Sequence, residues 1–301
     1  MTNTLGVDSQ KRFVPAPAPS DRHPAAEGPI KTALLVGLPR SGTTLLGSLL
    51  SGVENSLSLS EPFLAHAIYP HWRLRRFFVA IQKSASLRRL PVPRRCSVDE
   101  LLSYCQRLAA ENGLGHLIIK ETYRVGGEWD NVAILDQLLR SPVSTVAISR
   151  HPYDIAVSSI KFCRWWRGLV GHVLRLFAPG LPLFANDREI VEYCVRNWVS
   201  FTDWCGQRQL LVVRYEDLVR EPAEQLRRVC DQLSVPFDAR MTSPKHPRGA
   251  FGGIGDPGVM KRPSKPVNTR SIGRKANLPD EFRDIIVAAC ADRMSSMNYE
   301  V

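Results

Sequence analysis

The sequence predicts an α/β fold with a central parallel sheet flanked by helices, and three features predict it. Short apolar runs without alternation recur at 33–36, 117–119, 145–148 and 210–213, the texture of strands buried on both faces. Helical stretches separate the runs, so strand and helix alternate. The first run ends in a glycine-spaced loop that opens directly into a helix, and in such sheets ligands sit at the carboxyl ends of the strands.

From the N-terminus, residues 1–30 carry V-P-A-P-A-P-S and P-A-A-E-G-P. Repeated proline blocks helix and ladder hydrogen bonds alike, so a disordered Pro/Ala-rich tail is expected there, followed by one domain over 31–301. Helices are expected at 43–50, 97–111, 131–139, 152–166, 187–204, 222–233 and 279–297. The second opens with S-V-D-E from Ser97, a capping box. Pro152, Pro222 and Pro279 stand in first turns, where a missing N–H is harmless. No internal repeat is present.

The 301 residues include 40 Lys and Arg against 29 Asp and Glu, a net charge of +11. With 44% hydrophobic and 23% charged residues, the composition is globular and excludes a disordered or fibrous chain. The basic excess implies an anionic partner: nucleic acid, a membrane surface or a phosphorylated small molecule. No apolar run reaches the roughly 18 residues of a membrane span, and residues 1–30 lack the apolar centre of a signal peptide, so a cytoplasmic protein is expected. The seven cysteines are scattered, without a C-x-x-C pair, which points to reduced structural thiols and no metal.

From Gly37 to Thr44 the chain reads G-L-P-R-S-G-T-T. A glycine, four residues and a second glycine between strand and helix frame a phosphate loop, whose amides and helix N-terminus cradle an anion. Thr43 stands where a nucleotide-hydrolysing loop has lysine, and the run 145–148 leads into Ser149-Arg150 where such a site needs an acid for Mg²⁺. The loop therefore suits an anion held by Arg40 and by Ser41, Gly42, Thr43 and Thr44, without a metal. Downstream, Arg150 ends a strand and Ser158 lies along the next helix; arginine's planar fork grips phosphate at two points. A surface ion pair between Arg150 and Asp154 is the plainer alternative.

These two segments, P-R-S-G-T at 39–43 and R-H-P-Y-D-I-A-V-S at 150–158, resemble those of the sulfotransferase family, whose members use 3′-phosphoadenosine-5′-phosphosulfate. The resemblance implies a P-loop NTPase-like sulfotransferase fold. It implies the first segment on the 5′-phosphosulfate, Arg150 and Ser158 on the 3′-phosphate, and adenosine 3′,5′-bisphosphate as product. By the same resemblance Tyr215, in Y-E-D-L, lies against the adenine, and Lys120, in I-I-K-E-T, approaches the phosphosulfate. Arg270, Arg274 and Lys275, in R-S-I-G-R-K-A-N-L, close over the 3′-phosphate.

Sulfuryl transfer needs an acceptor hydroxyl in line, with an amine as second choice, stabilisation of the leaving phosphate, and a general base. Arg40 and Lys120 would stabilise the charge. The family branch with this loop places a catalytic glutamate about twenty residues after its arginine, and Glu61 lies 21 residues after Arg40. Glu121, His66 and His151 are the competing bases. A P-loop nucleotide kinase and a non-catalytic nucleotide- or nucleic-acid-binding module are the alternative functions.

Between Pro62 and Val98 there is no acidic residue but eight cations: Arg73, Arg75, Arg76, Lys83, Arg88, Arg89, Arg94 and Arg95. Aromatic residues interleave with them. The stretch reads as a solvated basic face over a packed apolar one, or as an amphipathic surface at 71–95 that meets a membrane or a lipid-like acceptor. Nucleic acid is disfavoured because no reader motif accompanies it. The acceptor, a small or lipid-like molecule, and the oligomeric state carry no motif of their own.

Overall fold

The apolar runs become strands because both of their faces find helices to pack against. The computed structural model describes residues 28–68, 71–84, 87–93, 96–126, 130–169, 186–242, 250–253 and 267–301. The tail to residue 27, Arg94, Arg95 and the stretch 170–185 lie outside the described residues. In chain order the elements are β1 (Lys31–Gly37), α1 (Thr43–Leu50), β2 (Ser56–Ser60), α2 (Pro62–Ile68), α3 (His71–Ser84), α4 (Val98–Ala110), β3 (His116–Thr122) and α5 (Val132–Arg140). They continue as β4 (Val143–Ser149), α6 (Pro152–Leu169), α7 (Asp187–Gln207), β5 (Leu211–Arg214), α8 (Tyr215–Arg220), α9 (Pro222–Leu233), β6 (Ala250–Gly253) and α10 (Asp280–Ser296).

The sheet has six strands in the order β5-β4-β1-β3-β2-β6, and every pair is parallel. One face packs Leu34, Val36, Leu57, Leu59, Leu117 and Ile119 beneath α2 to α7 and α10. The other packs Ala33, Leu35, Ile118, Val146 and Ile148 beneath α1, α8 and α9. The expected parallel α/β architecture is thus present, and the capping box at Ser97 forms as read, with Glu100 N–H donating to Ser97 Oγ and Ser97 N–H to Glu100 Oε2. Five elements exceed the expectation: β2, β6, α2, α3 and α8.

From β1 the chain first builds towards β3 and β2, then crosses back to β4 and β5. Strand order therefore reverses beside β1, and the crevice at its carboxyl end is where a parallel sheet can admit a ligand. The loops after β1 and β4 border that crevice. Gly37 stands opposite Ile148 in register, so the residues that follow each strand emerge side by side.

Candidate active site

The loop after β1 is held in one shape by its own hydrogen bonds. Ser41, fully buried, donates both its N–H (3.1 Å) and its hydroxyl (2.7 Å) to Leu38 O. Arg40 (φ 70°) and Gly42 (φ 99°) adopt left-handed backbone, which costs a non-glycine residue about 1–2 kcal/mol. Gly42 also has no room for a side chain, since a Cβ would stand 2.4 Å from Cδ2 of Tyr215. Thr43 is buried and Thr44 half-buried in the first turn of α1.

Register explains how the second segment reaches the loop. Ser149 at the end of β4 pairs with Arg214 at the end of β5, so Arg150 and Tyr215 leave adjacent strands together. The Arg150 guanidinium lies 4.2 Å over the Tyr215 ring, Nη1 donates to Arg40 O at 3.0 Å, and Nη2 donates to Ser271 O. Arg40 Nε in turn donates to Ser158 Oγ at 3.1 Å, and its guanidinium sits 5.0 Å from the Phe162 ring centre. Arg40, Arg150, Ser158 and Tyr215 therefore form one connected cluster. Arg150 is only 5% exposed, burial pushes its guanidinium below the ordinary value, and its Nε is buried without a hydrogen-bond partner.

Asp154 belongs to a different contact from the ion pair with Arg150 weighed above. Its carboxylate accepts from the backbone N–H groups of Gly273 (3.1 Å) and Arg274 (2.9 Å) and pairs with the Arg274 side chain. Arg274 Nη2 also donates to Asp154 O. The 271–274 segment is thereby pinned onto the start of α6, next to Arg150. Lys275 points to the chain end, donating to Val301 O and lying 5.0 Å from the Tyr153 ring centre, and Arg270 is exposed.

Lys120 and Glu61 meet on the α1 side of the sheet. Ser60 faces Lys120 across β2 and β3, and Glu61 N–H donates to Lys120 O at 2.6 Å. Glu61 turns out of the strand with φ 59°, which returns its carboxylate to accept from Lys120 Nζ. Both are buried, Lys120 at 3% and Glu61 at 6% exposure. A carboxylate and an ammonium taken out of water together require such a partner.

Each competing base has another contact. Glu121, next along β3, turns to the opposite face, where its two carboxylate oxygens accept from Phe63 N–H (2.8 Å) and Leu64 N–H (3.2 Å). Burial, aided by the Glu61 charge, pushes its carboxyl up to about 8. His66 Nε2 sits 2.7 Å from Cys96 O. His151 stacks on Tyr153, places Nε2 2.8 Å from Glu300 O, and is pushed below the usual histidine value by burial.

Residues 31–245, more than two thirds of the chain, match the model of the sulfotransferase domain family. The chain belongs to the sulfotransferase family. Among solved structures, the sulfotransferase domain from the Synechococcus PCC 7002 olefin synthase superposes with a TM-score of 0.56 at 22% identity, covering 92% of this chain and 98% of that one. The sulfotransferase domain from the curacin biosynthetic pathway superposes at 0.52 with 18% identity, covering 91% and 99%. At these identities the likeness is one of fold. A comparison with curated proteins returns no match.

Sequence reasoning missed three partners in this sulfotransferase. Trp198 donates its indole N–H to Arg150 O at 2.9 Å, fixing the backbone from which Arg150 projects, and in sequence it is one more aromatic on an apolar helix face. Phe162 left no signal either, and Ser271 lies inside the R-S-I-G-R-K-A-N-L segment without having been singled out within it. A cavity of about 270 Å³ between α7 and α10, lined by Phe201, Cys205, Leu210, Arg293 and Met297, holds none of the candidate residues. Among the described residues there is no group of three His, Cys, Asp or Glu that could hold a metal, and no helix long and apolar enough to cross a membrane.

Proposed function

We propose that this sulfotransferase moves a sulfuryl group from 3′-phosphoadenosine-5′-phosphosulfate to an acceptor hydroxyl, with an amine as second choice, and that Glu61 is the general base. The observation that carries the reading is the joining of the two anion-binding segments: Arg40 Nε reaches Ser158 Oγ at 3.1 Å and Arg150 Nη1 reaches Arg40 O at 3.0 Å. A donor with two separate anionic ends needs two cationic ends in one crevice. The residues fit it, because Arg150 brings a buried Nε without a partner and the Tyr215 ring packs directly on the Gly42 backbone, where a Cβ would stand 2.4 Å from it.

In this reading the α1 amides and Arg40 hold the 5′-phosphosulfate, while Arg150 and Ser158 hold the 3′-phosphate. A phosphate at Arg150 would replace the Ser271 carbonyl on Nη2, so the 271–274 segment, pinned by Asp154, adjusts as the nucleotide binds. Tyr215, already under Arg150, offers a ring face to the adenine. The donor supplies the sulfuryl group and a good leaving phosphate; the protein supplies position and charge. Lys120 gives the ammonium that balances charge growing on that phosphate. Glu61, its present partner, takes the acceptor proton once Lys120 has turned to the donor.

The kinase alternative lacks support at two places, since Thr43 replaces the loop lysine and Arg150 follows β4 where a metal-binding acid would stand. Incubation with sulfur-labelled donor and cell extract, in the presence of a chelator of divalent cations, tests the proposal. Label transfer to an extract molecule supports it; phosphoryl transfer from ATP that requires Mg²⁺ contradicts it.

A further inference from the structure

The acid-free stretch after Glu61 folds into α3, and that helix has two unlike faces. Its inner face is firmly anchored: Leu74, Phe78, Ile81 and Gln82 are buried, Phe78 meets Tyr104 edge-on at 5.2 Å, and Gln82 Nε2 donates to Tyr104 Oη at 2.6 Å. Gln82 also accepts from Leu90 N–H and donates to Leu90 O, which ties down the chain that follows. The helix packs against the edge strand β6. Its outer face is therefore a fixed surface, not a fraying one.

That outer face carries Trp72 and Val79, exposed at 52% and 47%, two of the three large hydrophobic side chains most exposed among the described residues. Seven residues apart, they lie on one stripe two turns along. Exposed Arg75, Arg76, Ala80 and Lys83 flank them, and Arg73 lies 5.0 Å from the Trp72 ring centre. No acidic residue stands anywhere between Pro62 and Val98, although Glu111, just after α4, pairs with Arg88 beyond the helix at 2.7 Å. Arg89, beyond the helix, is exposed as well.

We propose that the outer face of α3 docks the protein on an anionic lipid bilayer. An amphipathic helix with arginine and lysine around an exposed indole suits the interfacial region, where cations meet anionic headgroups and Trp and Val enter the acyl boundary. A second copy of this chain would set basic face against basic face. Single-stranded nucleic acid would need several free aromatic rings for base stacking, and this face offers one, already beside Arg73. Along the chain only α2 separates α3 from Glu61.

The test is sedimentation of the full chain with vesicles of phosphatidylcholine alone or of phosphatidylcholine and phosphatidylglycerol in equal parts, at low and high salt. Binding is expected only to the anionic vesicles, and it weakens as salt screens it. Each arginine removed should weaken it roughly fivefold, so Arg75→Ala with Arg76→Ala together cost roughly 25-fold, and Trp72→Ala weakens it several-fold. All three positions are solvent-exposed, and unchanged melting of the variants confirms that the fold is intact. No binding by the wild type, equal binding to both vesicles, or binding indifferent to the variants overturns the proposal. Tighter binding to a single-stranded oligonucleotide that the same variants abolish also overturns it. Nucleotide binding is measured without lipid, so failure here leaves the donor site assignment separately testable.

Discussion

Replacing Arg150 by alanine removes the group that joins the two halves of the site. Its two Nη atoms donate to Arg40 O and Ser271 O, and its guanidinium covers the Tyr215 ring at 4.2 Å. A 3′-phosphate bound there would exchange at least one carbonyl acceptor for phosphate oxygen, so the net gain is smaller than for a free arginine, about 1.5–3 kcal/mol for a hydrogen bond to a charged group. That corresponds to roughly 10- to 150-fold in affinity. Leaving the part-buried Arg40 carbonyl without its donor costs at most about 1–3 kcal/mol of stability, which a domain with about 5–15 kcal/mol in hand survives. Calorimetry should then show adenosine 3′,5′-bisphosphate weakened by that factor and adenosine 5′-monophosphate held within about threefold. Equal losses for the two nucleotides would refute the 3′-phosphate role of Arg150.

Three further outcomes are expected. Glu61→Gln should lower kcat by about 10²- to 10⁴-fold, the usual contribution of a general base, while bisphosphate binding is unchanged or tighter because Lys120 loses its counter-ion; near-normal turnover would remove Glu61 from the mechanism. Gly42→Ala must both adopt φ 99° and clear a 2.4 Å contact with Tyr215, which together cost about 2–5 kcal/mol and should depress Tm by roughly 5–15 °C; a thermal melt within about one degree of wild type contradicts the geometry. Glu121 is a carboxyl raised from 4.5 to about 8 in the fold. Between those values the unfolded chain ionises first, so wild-type stability falls as pH rises, at up to about 1.4 kcal/mol per pH unit. Urea titrations across that window should be flatter for Glu121→Gln, and parallel pH profiles for the two proteins would count against this assignment.

The parallel sheet was legible because four of its strands are continuous apolar runs, a direct consequence of burial on both faces. The strand that delivers Glu61 was not. Ser56-Leu57-Ser58-Leu59-Ser60 alternates like a half-exposed strand, yet all five residues are buried, and Ser56 satisfies its hydroxyl on Val53 O. Arg40, Arg150 and Ser158 could be picked out singly, since each stands at a strand–helix junction or one face along the next helix. Their mutual contacts depend on the β1–β4 register and on the crossover that brings β4 beside β1, neither of which a single sequence encodes locally. The Lys120–Glu61 pair spans 59 residues and rests on the β2–β3 register in the same way. Glu121 was a reasonable candidate by residue type, and only the fold turns it away from Lys120 and onto the amides of α2. For α3 the reading of an apolar face packed beneath a basic one matches what is seen, but which face carried Trp72 could be settled only by the packing of Phe78 and Gln82.

The central claim is that one crevice binds a nucleotide at both of its phosphates without a metal. Titration of the full chain with adenosine 3′,5′-bisphosphate in the presence of a chelator, beside the same titration with ATP and Mg²⁺, tests it most directly. The account predicts tight metal-independent binding of the bisphosphate and much weaker binding of ATP. Magnesium-dependent binding of ATP, with none of the bisphosphate, would contradict it.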